Sequence, residues 1–373
     1  MLYLACGKIC AKYKKNIDTK SPIENSVRKY FSRVLIIMKK VTLCTLLSAI
    51  VILSLNTYNK RIYCRDLQTI FDDKIYNIEG LRMAMDHDPD ENTFFFPSLE
   101  KKNFFESIDD LSICRRRDVR KFIYIYLTRG RKYTKRAIMR SYLYLNTIDT
   151  VFDDYPEIPK DIALLPLLES GFNPYAVSRT RAVGLWQFMK ATSKIVGLKT
   201  NRWLDERRAI EKSTKAAIYH LTNLNSFLNS WELTLAAYNG GGNYIKRAMM
   251  KTGEKDFWKL RKTKFLNRET REYVSRFAAL LLIYKNQGLF KIKDEIEPGV
   301  ELDIEKIVLK SPLNIRNISK ITGVPLSIIK KLNPELKRNV IPPYLNEYSF
   351  TLPVNALEKI RQNKSKHIKI RFI

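Results

Sequence analysis

Apolar residues recur at helical spacing along much of this chain. Within residues 118–127, Val119, Phe122, Ile123 and Tyr126 stand three and four apart, which places them on one face of a helix. A second helix is predicted from Lys132 to about Phe152, with Ala137, Tyr144, Leu145 and Ile148 inward. Residues 205–228 read as one long helix facing inward through Ala209, Ala216, Ala217, Leu221 and Leu224. A short helix over 231–238 and a long one over 269–285 follow, the latter carrying Tyr273, Phe277, Leu280, Leu281 and Tyr284. The chain is therefore expected to be mainly α.

The N-terminal pattern is different. Lys39 and Lys40 precede an uncharged run from Val41 to Asn59, a basic region followed by an apolar one. As a helix the run would be roughly 28 Å long, about one hydrocarbon thickness. Leu53, Ser54, Leu55 and Asn56 match a cleavage site poorly, so a membrane anchor competes with a signal peptide, and a buried core helix is the third reading. Residues 1–59 are expected to be a cytoplasmic leader with that signal or anchor, and translation is expected to start at Met38. The rest would then lie in the periplasm or cell envelope. Residues 60–155 are expected to form a helical N-terminal region.

One carboxylate stands out beyond it. Ile162, Leu165 and Leu168 mark an apolar face that ends at Glu169. Pro166 belongs in a first turn or at a kink, and Asn173-Pro174 should stop the helix. A helix C-terminus and apolar surroundings both favour the neutral acid. A carboxyl that keeps its proton near neutral pH is what a general acid needs. Taken alone, Glu169 would be an ordinary surface acid.

Four short motifs give it company: Glu169-Ser170, Gly184-Leu185-Trp186-Gln187, Ala237-Tyr238-Asn239-Gly240, and Glu269-Thr270-Arg271-Glu272-Tyr273-Val274. Ser178 falls nine residues after Glu169 and Gln187 eighteen after. In this order and spacing, the stretch from about Val119 to Asn286 resembles the soluble-lytic-transglycosylase (SLT) domain, in the group typified by membrane-bound lytic transglycosylase D. The resemblance implies a lysozyme-like helical catalytic domain, here over 156–290. It implies cleavage of the bond between N-acetylmuramic acid and N-acetylglucosamine in peptidoglycan, leaving 1,6-anhydromuramic ends. Glu169 would be the catalytic residue, and Ser178, Gln187, Tyr238, Asn239 and Tyr273 would bind or orient the substrate. Trp186 is expected to pack beneath the site.

The spacing of carboxylates fits that route. Ordinary glycosidases flank the scissile bond with two, yet no Asp or Glu lies between Glu169 and Asp205. Glu269 opens a helix, where an acid is favoured anyway, and is read as structural. A goose-lysozyme-like hydrolase and a catalytically silent glycan-binding protein are the rival readings.

Composition changes the picture only slightly. With 67 Lys+Arg against 38 Asp+Glu, the net charge is +29, which favours an acidic partner: nucleic acid, anionic lipid or an acidic polymer. His87, His220 and His367 are scattered, so no metal site and no cofactor are expected. Cys6, Cys10 and Cys44 precede Cys64 and Cys114, and one bridge between the last two is the most that is expected. After an acidic linker over 294–300, residues 299–373 resemble a divergent LysM module, a small α/β unit: a helix, a Gly-Val turn, a second helix and the strand YSFTLP. That spacing also suits a DNA-binding helix-turn-helix, but an exported protein does not meet DNA. The expected partners are peptidoglycan strands and the membrane, not nucleic acid, with the protein a monomer. The module is read either as a tethered second site, whose removal weakens adhesion to sacculi more than cleavage of short soluble glycans, or equally as a small packing domain without a ligand.

Overall fold

The computed structural model describes residues 104–109, 112–288, 290–292, 303–309, 313–362 and 370–372. The expected leader and anchor over 1–59, the segment 60–103 with Cys64, and the expected linker over 294–300 lie outside the described residues. No helix among the described residues is long and apolar enough to cross a membrane.

In chain order the first part forms α1 (Phe104–Asp109), α2 (Arg117–Leu127), α3 (Arg131–Phe152), α4 (Pro166–Glu169), α5 (Lys190–Ile195), α6 (Ile210–Leu228), α7 (Trp231–Gly240), α8 (Gly242–Thr252), α9 (Phe257–Leu260) and α10 (Arg268–Lys285). The second part adds β1 (Ile304–Leu309), α11 (Ile315–Thr322), α12 (Leu326–Leu332), β2 (Tyr348–Pro353), α13 (Val354–Gln362) and β3 (Ile370–Phe372). The protein is mainly α with a small α/β unit at the C-terminal end. α10 is the axis of the helical lobe. Every residue from Tyr273 to Ile283 except Arg276 is buried, so this helix is apolar nearly all round and must be enclosed. It packs on α2 and α7, and α3 packs on α6. One core runs from Phe104 to Ile292, so the residues before 156 share it with those after.

The predicted inward faces of α2 and α3 are observed, with Leu145 half-buried. Two boundaries differ. The segment before Glu169 is a 3-10 turn, Lys160–Leu164, followed by α4 with Pro166 at its start. It ends at Glu169, before Asn173-Pro174, because Gly171 (φ 58°) and Phe172 (φ 52°) turn left-handed. α6 starts at Ile210, not 205. Residues 205–209 are extended or turned, because Asp205 pairs with Thr200 and its N–H donates to the Glu335 carbonyl at 2.9 Å.

The C-terminal part is a three-stranded antiparallel sheet, ordered β2-β1-β3, with α11 and α12 between its first two strands in sequence. Gly323 (φ 70°) ends α11. Its core of Ile307, Ile315, Ile329, Phe350 and Leu352 also takes in Leu204, with Trp203 against it, from the helical lobe. Leu204 pairs with Leu336, and the Lys337 N–H donates to the Trp203 carbonyl at 2.8 Å. The hydroxyls of Tyr144 and Tyr175 donate to the carbonyls of Lys331 and Lys330 at 3.3 and 2.7 Å. Lys306 on β1 pairs with Glu211 on α6. The module is therefore seated on the lobe, which lends it two apolar side chains, and leaving would expose them to water.

Candidate active site

Glu169 ends a helix too short to hold itself. Its position comes from burial: Leu165 and Leu167 are in the core, and the N–H groups of Ser170 and Phe172 both donate to the Pro166 carbonyl. Gly171 makes the turn possible in a second way. A Cβ there would lie 3.0 Å from the Tyr133 hydroxyl, which donates to the Leu167 carbonyl at 3.2 Å.

The Glu169 carboxyl accepts a hydrogen bond from the Tyr273 hydroxyl. Burial pushes its pKa up to about 7. The Tyr273 bond opposes the rise, the charge of Glu269 adds to it, and Arg276 opposes it. These three neighbours share α10 at i, i+4 and i+7, so they stand in a row on one face. Arg276 is itself held by the Tyr126 hydroxyl at 3.1 Å. The Tyr238 hydroxyl donates to the Trp186 carbonyl at 2.7 Å. Burial raises its pKa well above the usual range, and the nearby Glu169 charge adds to that. Of the two tyrosines, Tyr273 bonds Glu169, and Tyr238 lies within reach of its charge while bonding the backbone.

Ser178 and Gln187 belong to a tight hairpin over 176–188. The Ser178 Oγ accepts the Ala182 N–H at 2.9 Å and meets Thr180 Oγ1 at 2.9 Å. The Gln187 amide donates to the carbonyls of Gly184 and Ala176 at 2.8 and 3.4 Å, from a left-handed backbone (φ 49°). Both side chains thus hold the hairpin as they stand, and both remain half-exposed. Asn239 closes the other side. Its amide donates to Glu269 Oε1 at 3.2 Å, and its oxygen accepts from Thr270 Oγ1 at 2.9 Å. It joins the end of α7 to the start of α10, and it engages the second carboxylate.

Trp186 is fully buried, with its indole N–H on Thr214 Oγ1 at 3.0 Å and its ring stacked 6.3 Å from Phe152. It supports the site from beneath. Phe257 is in the core, and the Tyr244 hydroxyl accepts the Asn267 N–H at 2.7 Å. Three neighbours were not anticipated: Tyr133, Arg276 and His220, whose ring lies 5.6 Å from Tyr238. Arg207 is a fourth. It forms an ion pair with Asp205 at 2.8 Å, and it donates to the carbonyls of Arg181 and Phe188 in the hairpin at 3.4 Å. Burial would raise the Asp205 carboxyl, but the bonds from Arg207 and Thr200 hold it below the usual range. The arrangement can hold one proton on a partly buried carboxyl near neutrality and release or recover it beside a tyrosine.

Comparison with known proteins bears on the same residues. Residues 153–261 match the transglycosylase SLT domain. Residues 303–368 match the LysM-like domain of lytic transglycosylase MltD. The chain is 32% identical over 215 residues to membrane-bound lytic murein transglycosylase D of Escherichia coli K12, covering 55% of this chain and 45% of that one. It thus spans about half the length of that relative. Among solved structures, the 70 kDa soluble lytic transglycosylase of Escherichia coli aligns at 14% identity and TM-score 0.34, over 63% of this chain and 46% of that one. An inactive mutant of the Pseudomonas aeruginosa transglycosylase Slt aligns at 19% identity and TM-score 0.31, over 52% and 29%.

Proposed function

We infer that this chain, which carries an SLT domain followed by an MltD-type LysM-like domain, is a peptidoglycan lytic transglycosylase. The observation that carries the reading is the partly buried carboxyl of Glu169, raised to about 7 by desolvation and bonded by Tyr273. Protonated Glu169 gives its proton to the oxygen between N-acetylmuramic acid and N-acetylglucosamine. That C–O bond breaks, and the muramoyl N-acetyl oxygen bonds to C1 as charge develops there. Glu169, now a carboxylate, takes the proton of the muramoyl 6-hydroxyl. Oxygen 6 then bonds to C1, the N-acetyl oxygen leaves, and the 1,6-anhydro ring closes. No water enters, so no second carboxylate is needed to activate one. Tyr273 holds the acid in place, while Ser178, Gln187, Tyr238 and Asn239 shape the walls that meet the sugars.

The substrate places the enzyme in the cell envelope, and the run over 41–59 would hold it at the membrane. Glu169→Gln tests the chemistry. The variant should keep its fold and lose nearly all release of soluble fragments from purified sacculi, since acid–base help is typically worth about 10²–10⁴-fold. Retention of more than about a tenth of wild-type turnover would remove Glu169 from the role.

A further inference from the structure

The four charged side chains from Asp205 to Arg208 are not paired evenly. Asp205 is bonded by Arg207, and Glu206 by Lys212 at 2.6 Å and by the Lys199 N–H at 2.8 Å. Arg208 is left over. Its Nε is buried without a hydrogen-bond partner, and its guanidinium lies 5.6 Å over the Tyr175 ring. No carboxylate pairs with it among the described residues. A buried donor without an acceptor is costly, and a guanidinium stacked on an aromatic face offers its remaining N–H groups as a planar fork.

The place of this arginine matters. A Cβ on Gly184 would lie 3.4 Å from the Arg208 backbone nitrogen, so Arg208 abuts the Gly-Leu-Trp-Gln turn. Tyr175 precedes Ala176, whose carbonyl accepts the Gly184 N–H and the Gln187 amide. Tyr175 is 39% exposed, and its hydroxyl is held by the Lys330 carbonyl. Lys330 and Lys331 are exposed at the same seam, and neither forms an ion pair among the described residues. The acid near Tyr175 is Glu335, whose carboxyl already accepts from Tyr348.

We propose that Arg208, stacked on Tyr175 and flanked by Lys330 and Lys331, binds a carboxylate of the peptide stem carried by the glycan strand. The proposal rests on the glycan-cleaving reading of the neighbouring site. A carboxylate held by the two terminal Nη groups would give this guanidinium the charge partner that no carboxylate of the described residues supplies. The seam between lobe and module would then read the peptide, while the Glu169 side meets the sugars.

Equilibrium binding tests this with the full chain carrying Glu169→Gln, so that no strand is consumed. The probes are native strands, strands whose carboxyls have been converted to amides, and strands stripped of stems, which expose the lactyl carboxylate instead. Native strands should bind about tenfold tighter than amidated or stripped ones, the scale of a charge-assisted hydrogen bond. Arg208→Gln should abolish the preference, and Arg208→Lys should keep part of it, because the charge remains while the fork is lost. Retention of the preference in Arg208→Gln, or its absence in the parent, overturns the proposal. Should Arg208→Gln not fold, an undiminished preference in folded Arg208→Lys together with Lys330→Gln/Lys331→Gln overturns it as well. Stripped strands binding as tightly as native ones would move the contact to the lactyl carboxylate and defeat the stem assignment. Release of anhydromuramic ends by the wild-type chain is scored separately. Its absence with the preference intact sinks the lyase reading but not this site.

Discussion

Glu169 is governed by opposing neighbours on one helix face. Burial and Glu269 keep its proton on, while Tyr273 and Arg276 favour the carboxylate. A group that must donate first is active in its protonated form, so turnover should fall as pH rises through about 7. Tyr273→Phe removes a bond that favours the charged form. The Glu169 pKa then rises further, and the alkaline limb of kcat/KM should move up by about one pH unit, with turnover lowered about tenfold. A limb that stays in place or moves down would show that Tyr273 does not set this acid. Glu169 and Tyr273 were legible because each sits in a short motif with a chemical reason. Arg276 lies three residues after Tyr273, so its place on the same face followed from helical period alone. Reading Glu269 only as a helix opener missed that it shares this face and adds to the field at Glu169. Tyr133 comes from a distant helix, and no spacing in the chain announces it.

At the scale of elements, the hairpin over 176–188 depends on one glycine and one ion pair. Gly184 has φ 89°, and a Cβ there would lie 1.8 Å from the Arg207 carbonyl. Gly184→Ala combines left-handed strain of about 1–2 kcal/mol with overpacking of about 1–3 kcal/mol. Denaturant unfolding should therefore show a loss of at least about 2 kcal/mol, and unchanged stability would mean that the hairpin has room to shift. The helices of the lobe were legible because a face of α2, α3 or α10 repeats every three or four residues. The start of α6 was not. Residues 205–209 carry the same pattern, but their backbone is committed to Glu335 and Lys199, partners that tertiary structure alone supplies. β1 went unread for a related reason, since six residues, two of them charged, acquire strand identity only by pairing with β2.

Across the whole molecule, module and lobe are joined where the hairpin over 176–188 is braced. Leu336 pairs with Leu204, Asp205 holds Arg207, and Arg207 holds the hairpin. Removing residues 299–373 should lower the melting temperature and impair cleavage even of short soluble glycans, because Trp203 and Leu204 lose their cover. A truncated chain that unfolds and cleaves like the full one would restore the tethered arrangement that the linker sequence suggested. On the proposed function, the charge of +29 adds a general attraction for an acidic polymer, while the chemistry is assigned to one carboxyl. The most direct test of that claim is digestion of purified sacculi in heavy-oxygen water, followed by mass spectrometry of the fragments. The account predicts 1,6-anhydromuramic ends that carry no solvent oxygen. Reducing muramic ends bearing the heavy isotope would contradict it, because water would then have reached C1 in place of the 6-hydroxyl.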